Sequence, residues 1–306
     1  MIQKNVYAVV GASGQTGSVV ARTLLAGGHA VRVVLRQEST VESWRDLGAD
    51  IALADVGDVA AITEAFQGCA GAYLLNPPAY QDADLFARAH HAHAAMVAAV
   101  RSAKVHRIVA LSSVGGQHAQ GTGNIQTTYD FEQQLKALDG EFDVAVLRAA
   151  NFMENWMWFV APVKAHGVLP SLFQPASMAF PSVSVLDIGR TAASLLTDGV
   201  PGRRVVELHG PADSSPVDAA QVLAALLGRP VEVSEPARDT WADSFVANGF
   251  SARSSQAFCE MFDGFNSGHI AFEGTHETRR GTVGLSDALA ASLPSLASSG
   301  NTDKRH

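Results

Sequence analysis

Seven residues near the start of the chain combine three glycines with small and polar residues, in the order Gly11-Ala12-Ser13-Gly14-Gln15-Thr16-Gly17. They lie between an apolar run, Val6–Val10, and a segment with helical periodicity, Ser18–Ala26. Between a strand and a helix, the first glycine permits a tight turn, the second lets the backbone approach a pyrophosphate, and the third lets helix and strand pack closely. The N–H groups that open the helix face the anion. The sequence therefore predicts a dinucleotide site formed by Gly11, Ser13, Gly14, Gln15, Thr16 and Gly17.

The residue that ends the second predicted strand indicates which dinucleotide binds. A carboxylate at this position would bond the ribose hydroxyls and repel a 2′-phosphate. Here the apolar run Val31–Leu35 is followed by Arg36, whose guanidinium group matches a phosphate geometrically and electrostatically. The sequence therefore favours NADP(H) over NAD(H).

Further cofactor contacts are expected where later strands end, because ligands of open α/β sheets bind at the carboxyl ends of the strands. Asp55, followed by Val56, could accept a hydrogen bond from an adenine amino group or could cap the next turn. Ser112, with Ser113 beside it, could touch the nicotinamide ribose or cap the local backbone. The residues that we assign to the cofactor at these strand ends are Asp55, Val56, Leu75, Asn76, Pro77 and Ser112.

The usual acid of short-chain dehydrogenases is missing. These enzymes share this layout and use Tyr-x-x-x-Lys, in which the tyrosine protonates the carbonyl oxygen and the lysine lowers the tyrosine pKa. None of the four tyrosines has a lysine four residues later; the residues found there are Gly11, Pro77, Asp84 and Gln133. Tyr129 and Asn151 remain as weak candidates for catalytic hydrogen bonds, and no catalytic residue is assigned.

This absence restricts the chemistry. Hydride addition to a simple ketone produces a basic alkoxide that needs a positioned acid, whereas a quinone, azo or cationic dye acceptor gives a stabilised product that solvent can protonate. A cofactor, a shaped apolar pocket and proximity suffice for the second group of acceptors.

The elements that must position these residues alternate between buried strands and amphipathic helices through the first half of the chain. This rhythm predicts a Rossmann-type α/β fold, a doubly wound parallel sheet with strand order 3-2-1-4-5-6. The predicted strands are Val6–Val10, Val31–Leu35, Ile51–Leu53, Ala72–Leu75, Arg107–Leu111 and Asp143–Leu147. The predicted helices are Ser18–Ala26, Val59–Phe66, Asp82–Ala103 and Thr128–Leu138.

After Asn151 the alternation breaks, which indicates a smaller C-terminal α+β lobe. We expect residues 1–150 to form the cofactor domain, with 185–210 returning to it, and residues 151–184 and 211–306 to form a substrate lobe. Asn151, Phe152 and Trp156 are the predicted substrate contacts. Trp156, Trp158 and Phe159 could equally be core or a wall for a planar aromatic substrate.

Composition excludes several classes of protein. The 306 residues carry 22 Lys and Arg against 30 Asp and Glu, a net charge of −8, which argues against a general nucleic-acid binder. No apolar run approaches the ~20 residues of a membrane helix. The two cysteines form no disulfide framework or zinc motif. We expect a cytoplasmic protein with a small aromatic or conjugated substrate, and the sequence is compatible with a homodimer.

Two other constellations give weaker signals. His90 and His93 share a helix face and resemble metal ligands, but no second cluster completes a site, so packing or surface roles are favoured and no metal is predicted. Ser112, His118 and Asp130 could be drawn as a hydrolase triad, but the chain lacks the Gly-x-Ser-x-Gly turn of such enzymes.

Several stretches together resemble the NmrA-like family of atypical short-chain dehydrogenases. They are Gly11–Gly17 with Arg36, Leu111–Ser113, Leu147–Asn155 (LRAANFMEN), Ser184–Gly189 and Glu207–Pro211. The family includes NAD(P)H-dependent quinone oxidoreductases, dye reductases and redox-sensing regulators that catalyse nothing. The resemblance implies the fold, the cofactor and a substrate between the large domain and the C-terminal lobe. One departure is that Asn124–Thr128 contains no Lys or His, which family members often carry there.

The prediction that follows favours an enzyme, an NADPH-dependent reductase of quinone-, azo- or dye-like acceptors. The alternative is a non-catalytic NADP(H)-binding sensor that presents different surfaces in its two cofactor states. A reductase of a plant-type or polyketide-type enone is a third possibility that the same pocket could serve.

Overall fold

The computed structural model describes residues 5–299, with side chains described through residue 293. An eight-stranded, wholly parallel sheet forms its centre. Its strands are β1 (Val6–Val10), β2 (Ala30–Leu35), β3 (Asp50–Leu53), β4 (Cys69–Leu74), β5 (Arg107–Ser113), β6 (Asp143–Ala149), β10 (Arg203–His209) and β12 (Glu277–Arg280). The strands lie in the order β12-β10-β6-β5-β4-β1-β2-β3, so the predicted order 3-2-1-4-5-6 and the Rossmann-type fold are confirmed.

Four short strands form two small two-stranded sheets outside the centre. They are β7 (Asn151–Phe152), β8 (Val168–Pro170), β9 (Ser182–Val183) and β11 (Glu232–Ser234). Within residues 5–299 the α-helices are α1 (Gln15–Ala26), α2 (Val41–Arg45), α3 (Val59–Phe66), α4 (Leu85–Ala103), α5 (Gln126–Leu135), α6 (Val160–His166), α7 (Val185–Thr197), α8 (Pro216–Leu227), α9 (Trp241–Ala247), α10 (Ala252–Asn266) and α11 (Leu285–Ser299). Among the described residues, no helix is both long and apolar enough to cross a membrane.

Helices cover both faces of the central sheet, which is why its strands are nearly continuous apolar runs. Helices α1, α2 and α7 pack on one face around residues such as Val33 and Leu147. Helices α3, α4 and α5 pack on the other face around residues such as Ile108 and Val146. The result is a rigid platform whose carboxyl edge carries the loops in which the site residues were predicted.

Several boundaries differ from the predictions, and at four of them the local cause is evident. Helix α1 begins at Gln15 rather than Ser18, because Gly14 already serves as its N-cap. Helix α4 begins at Leu85 rather than Asp82, because the Asp84 carboxylate accepts hydrogen bonds from the N–H groups of Phe86 and Ala87. Strands β5 and β6 each continue two residues beyond the predicted ends, since Ser112 and Arg148 pair in register inside the sheet.

A second apolar core lies under the C-terminal half of the chain. It joins residues of α8 and α10 to aromatic side chains such as Trp156, Phe173 and Phe180. Strand β12 falls within the range 211–306 that we assigned to the lobe, yet it extends the central sheet by pairing with β10. The chain therefore returns to the central sheet at β12, and α11 then packs into the lobe core again through Leu289.

Candidate functional site

The glycine-rich loop folds as a tight cradle between β1 and α1. Gly11 has a φ of +70°, and the N–H of Gly14 donates to the carbonyl of Gly11 at 2.9 Å. A Cβ at Gly17 would stand 2.6 Å from the carbonyl carbon of Gly11, so only glycine lets the helix approach the strand here. No side chain caps α1, which leaves the amides of its first turn for a ligand. This geometry fits a pyrophosphate.

The side chains of this loop divide between solvent and core. Ser13, Gly14 and Gln15 are exposed, whereas Thr16 is buried and its Oγ1 accepts a hydrogen bond from the Tyr73 hydroxyl at 2.9 Å. Burial raises the pKa of Tyr73, and the Thr16 contact offsets only part of this rise. Thr16 therefore holds the loop to β4 with its side chain.

Arg36 and Asp55 lie close together where β2 and β3 end. Arg36 is exposed. Asp55 accepts hydrogen bonds from the N–H of Gly57 at 2.8 Å and from Arg88 at 3.1 Å. The Gly57 hydrogen bond first, then Arg88 and Arg36, lower the pKa of Asp55 against the opposing effect of burial. Of the two roles considered for Asp55, the structure shows the turn cap, while the half-buried Val56 follows it.

The loop after β4 approaches the glycine loop, but its asparagine is already engaged. Leu75 faces Gly11, with its Cδ2 2.8 Å from where a Cβ on Gly11 would stand. Asn76 donates from Nδ2 to Thr127 Oγ1 at 2.9 Å, and its Oδ1 lies 3.1 Å from His93 Nε2. Both ends of the Asn76 amide are therefore engaged by other side chains; Pro77 next to it is half-buried.

Ser112 is likewise engaged. Its hydroxyl donates to Glu132 Oε1 at 2.6 Å. Arg148 holds the same carboxylate with two further hydrogen bonds, at 2.9 and 2.8 Å, and also pairs with Glu273. Burial opposes the charge on Arg148, but the hydrogen bonds that Arg148 donates to Glu132 and then to Glu273 raise its pKa overall. The one hydroxyl proton of Ser112 is thus given to Glu132.

The predicted substrate contacts separate into two groups. Asn151 and Phe152 form β7 and are half-buried at the end of β6, and Tyr129 is half-buried on α5. Trp156 is only 3% exposed and packs against Phe173 in the core of the lobe, with the two ring centroids 5.9 Å apart. Its Nε1 is buried, and no hydrogen-bond partner stands within the described residues. Of the two roles considered for Trp156, its burial favours core.

Trp158, two residues later, is exposed and stands edge-on to Tyr80. Tyr80 in turn stacks on Phe250 at the turn between α9 and α10, with ring centroids 5.1 Å apart. The loop after β4 is thereby held against the C-terminal lobe by aromatic contacts.

The helix that carries three histidines shows a packing role for one of them. The His93 side chain is fully buried, stacks on Phe131 and lies 3.4 Å from Asp130. Burial lowers the pKa of His93 to about 4 although Asp130 opposes the shift, so the ring is neutral at pH 7. Among the described residues, no three His, Cys, Asp or Glu side chains form a metal-binding group.

Three buried polar residues that organise this edge, Glu132, Arg148 and Glu154, are not among the site residues predicted from the sequence. Glu154 accepts from the Ser184 hydroxyl at 2.6 Å and from the Val185 N–H at 3.0 Å, so it fixes the start of α7. Burial raises the pKa of Glu154, and these hydrogen bonds partly compensate. A signal for Arg148 existed, since a charged residue at the end of an apolar strand needs a buried partner.

Fold and loop together define a Rossmann-type α/β protein with a dinucleotide cradle and an added C-terminal lobe. The chain belongs to the NmrA-like family, whose model matches residues 3–272.

Comparison with solved structures agrees with this assignment. The NADPH-dependent quinone oxidoreductase of Escherichia coli, complexed with NADPH, superposes with a TM-score of 0.76 at 20% identity, covering 94% of this chain and 99% of that one. Triphenylmethane reductase of a Citrobacter species gives a TM-score of 0.76 at 18% identity, covering 95% and 99%. At these identities the likeness shows the fold.

A curated plant protein matches a shorter stretch. Cinnamoyl-CoA reductase 1 of Oryza sativa subsp. japonica is 34% identical over 123 residues, 38% of this chain. The match spans 36% of that protein's length.

Proposed function

We propose that this chain is an NADPH-dependent reductase that transfers hydride to a quinone-, azo- or dye-like conjugated acceptor without a Tyr-x-x-x-Lys pair. The loop Gly11–Gly17 would hold the pyrophosphate with backbone amides, and Arg36 would hold a 2′-phosphate. The further cofactor contacts would come from the ends of β3, β4 and β5, through Asp55, Val56, Leu75, Asn76, Pro77 and Ser112. A cradle that a Cβ at Gly17 would fill supports this fit.

The observation that carries the choice of acceptor is the hydrogen bond from Ser112 to Glu132. Because this 2.6 Å bond takes the hydroxyl proton, Ser112 can accept a hydrogen bond at the edge but cannot donate one there. Arg148 keeps the carboxylate in place with two hydrogen bonds, so the arrangement is rigid. An acceptor whose reduced form is stabilised by conjugation needs no such donor.

The chain's own groups would then bind, orient and exclude water. NADPH, when bound, would supply the hydride. For a quinone or azo acceptor, solvent would supply the protons that complete the two-electron reduction, whereas a cationic dye would be neutralised by the hydride alone. Residues 1–150 with 185–210 would hold the cofactor, and 151–184 with the part of 211–299 that builds the lobe would cover the acceptor. Asn151 and Phe152 would contact the acceptor, Trp156 would support that wall from the lobe core, and Tyr129 could add a hydrogen bond.

The relatives support both the cofactor and the class of acceptor in this proposal. The two solved structures are a quinone oxidoreductase that binds NADPH and a reductase of triphenylmethane dyes, two acceptor types that are conjugated. The cinnamoyl-CoA match points to an enone-like thioester, which keeps a third conjugated acceptor in the test.

The experiment follows NADPH consumption by absorbance with purified protein and a panel of quinones, azo dyes, triarylmethane dyes, enones and simple ketones, with NADH in parallel. We expect turnover with conjugated acceptors and none with ketones. Turnover of ketones at comparable rates would contradict the role given to Ser112. Tight NADPH binding without turnover of any acceptor would replace the reductase by a cofactor sensor.

A further inference from the structure

A cavity of about 330 Å³ opens beside the first turns of α4, α5 and α10, and its lining includes no residue of the glycine loop. Its volume falls within the range of small-molecule pockets, roughly 300–1,000 Å³. The side chains that give it chemical character are Phe86, His90, Gln126, Thr127, Asp130 and Arg253.

The cavity has a cationic side and an anionic side. Arg253 is exposed, and its guanidinium lies 5.0 Å from the centre of the Phe86 ring, with no carboxylate paired to it in the described part of the chain. Asp130 faces the cavity from α5, 3.1 Å from His90 Nδ1 and 2.7 Å from the side-chain amide of Gln134. A ligand that complements both sides needs a carboxylate for Arg253 and a hydrogen-bond donor for Asp130.

A buried chain of hydrogen bonds links this cavity to the end of β4. Thr127 donates its only hydroxyl proton to the carbonyl of Asn124 at 2.7 Å, so its Oγ1 accepts from Asn76 Nδ2. Asn76 Oδ1 must then accept from His93 Nε2, which places the proton of the neutral imidazole on that atom. His93 Nδ1 is left without a proton, 3.4 Å from Asp130. His93 Nδ1 and the Asp130 carboxylate are therefore two acceptors that face each other with no proton between them. Asp130 also lines the cavity.

We propose that the cavity binds a small carboxylate that also carries a hydroxyl or ammonium donor, such as a hydroxy acid or an amino acid, and that its occupancy changes cofactor affinity. The carboxylate pairs with Arg253, which the Phe86 ring holds in place. The donor group of the ligand forms a hydrogen bond to Asp130 and so changes the contact between Asp130 and His93. Because His93 is hydrogen-bonded to Asn76, this change alters the position of Asn76 at the cofactor edge. The binding part stands alone, whereas the effect on the cofactor rests on the proposed function.

Binding is tested by calorimetry on the full chain without cofactor, with 4-hydroxybenzoate as the probe. We expect saturable binding, weakened at least about tenfold for benzoate, which lacks the donor, and for phenol, which lacks the carboxylate. Arg253→Met should weaken 4-hydroxybenzoate binding by a similar factor. Arg22→Met is the matched control, because Arg22 also lies over an aromatic ring, that of Trp44 at 5.1 Å, but outside the cavity. Absence of saturable binding, or equal binding by Arg253→Met and the unmodified chain, would overturn the proposal.

Coupling is tested by titrating NADPH with and without saturating 4-hydroxybenzoate. We expect the NADPH dissociation constant to change by about fivefold or more. His93→Gln keeps an amide that can donate to Asn76 but loses the ring nitrogen facing Asp130, so it should reduce this change while still binding NADPH. An unchanged NADPH affinity would refute the coupling. Probe binding without any NADPH binding would instead refute the proposed function and leave the cavity assignment intact.

Discussion

At the edge formed by β1 and β2, the loop Gly11–Gly17 presents backbone amides that no side chain caps, and Arg36 extends into solvent. At the edge formed by β4 and β5, the side chains of Asn76 and Ser112 are already hydrogen-bonded to other side chains. The first region keeps its donors available, and the second has used them. Both lie at the carboxyl edge of the same parallel sheet.

The difference indicates a division of labour within one edge. Amides and a guanidinium group that have no partner suit a phosphate-rich ligand, because its negatively charged oxygens accept a hydrogen bond from each of these donors. An edge whose polar groups are satisfied internally offers shape and rigidity, which suits an acceptor that needs orientation more than proton transfer. Substitutions that change one of these two regions at a time can test this difference.

Arg148→Met breaks the engaged region most severely. It leaves the buried Glu132 carboxylate without its bidentate partner, so we expect the free energy of unfolding to fall by about 3–5 kcal/mol in denaturant titrations. The double variant Arg148→Met with Glu132→Leu removes both charges and should recover much of the loss. A single variant as stable as the unmodified chain would show that this network does not hold the edge.

His93 gives the same region a dependence on pH. Burial lowers its pKa from 6.5 to about 4, so the folded chain binds a proton less readily than the unfolded chain. The stability that this provides is complete above pH ~6.5 and is lost as pH falls towards ~4, by about 3 kcal/mol for a shift of this size. His93→Gln should lose less stability over that interval, whereas the exposed His91→Gln should behave like the unmodified chain. Equal pH profiles for all three proteins would contradict this assignment.

Gly14→Val tests the region that keeps its donors. Gly14 is exposed and lies at the start of α1, so a branched side chain should block the pyrophosphate while the fold persists. We expect NADPH affinity to fall by about 100-fold in a fluorescence titration, with a melting temperature close to that of the unmodified chain. Gly17→Val offers a contrast, because its Cβ would clash with the Gly11 carbonyl and should also lower stability. Undiminished binding by Gly14→Val would mean that the loop does not hold the cofactor.

Arg36→Glu sharpens the assignment of that region by changing only one end of the dinucleotide. A carboxylate there repels a 2′-phosphate and can accept from ribose hydroxyls, so the ratio of NADPH to NADH affinity should fall by about tenfold or more. Arg36→Met removes the positive charge without adding a negative one, so it separates the loss of attraction for the 2′-phosphate from the repulsion that a carboxylate adds. Unaltered relative affinities would leave the preference for NADP(H) without a structural basis.

Local sequence patterns predicted much of the fold and part of the candidate site. The continuous apolar strands and the amphipathic helices between them predicted the parallel sheet and its central strand order, because a buried parallel strand requires such a run. The three glycines predicted the cradle, because their spacing matches one backbone geometry. Helix starts were less accurate where capping decided them: Asp84 delays α4, and Gly14 advances α1.

The sequence by itself determined the central α/β architecture and the glycine-rich loop, since both depend on residues that are neighbours along the chain. Only the tertiary structure decided which polar groups remain available at the edge. Ser112 meets Glu132 and Arg148 across β5, α5 and β6, and Asn76 meets His93 and Thr127 from two helices. Strand β12 joins the sheet from the far end of the chain. Such pairings bring together residues distant in sequence, and the partner that a buried polar group finds is fixed by how the packed elements meet.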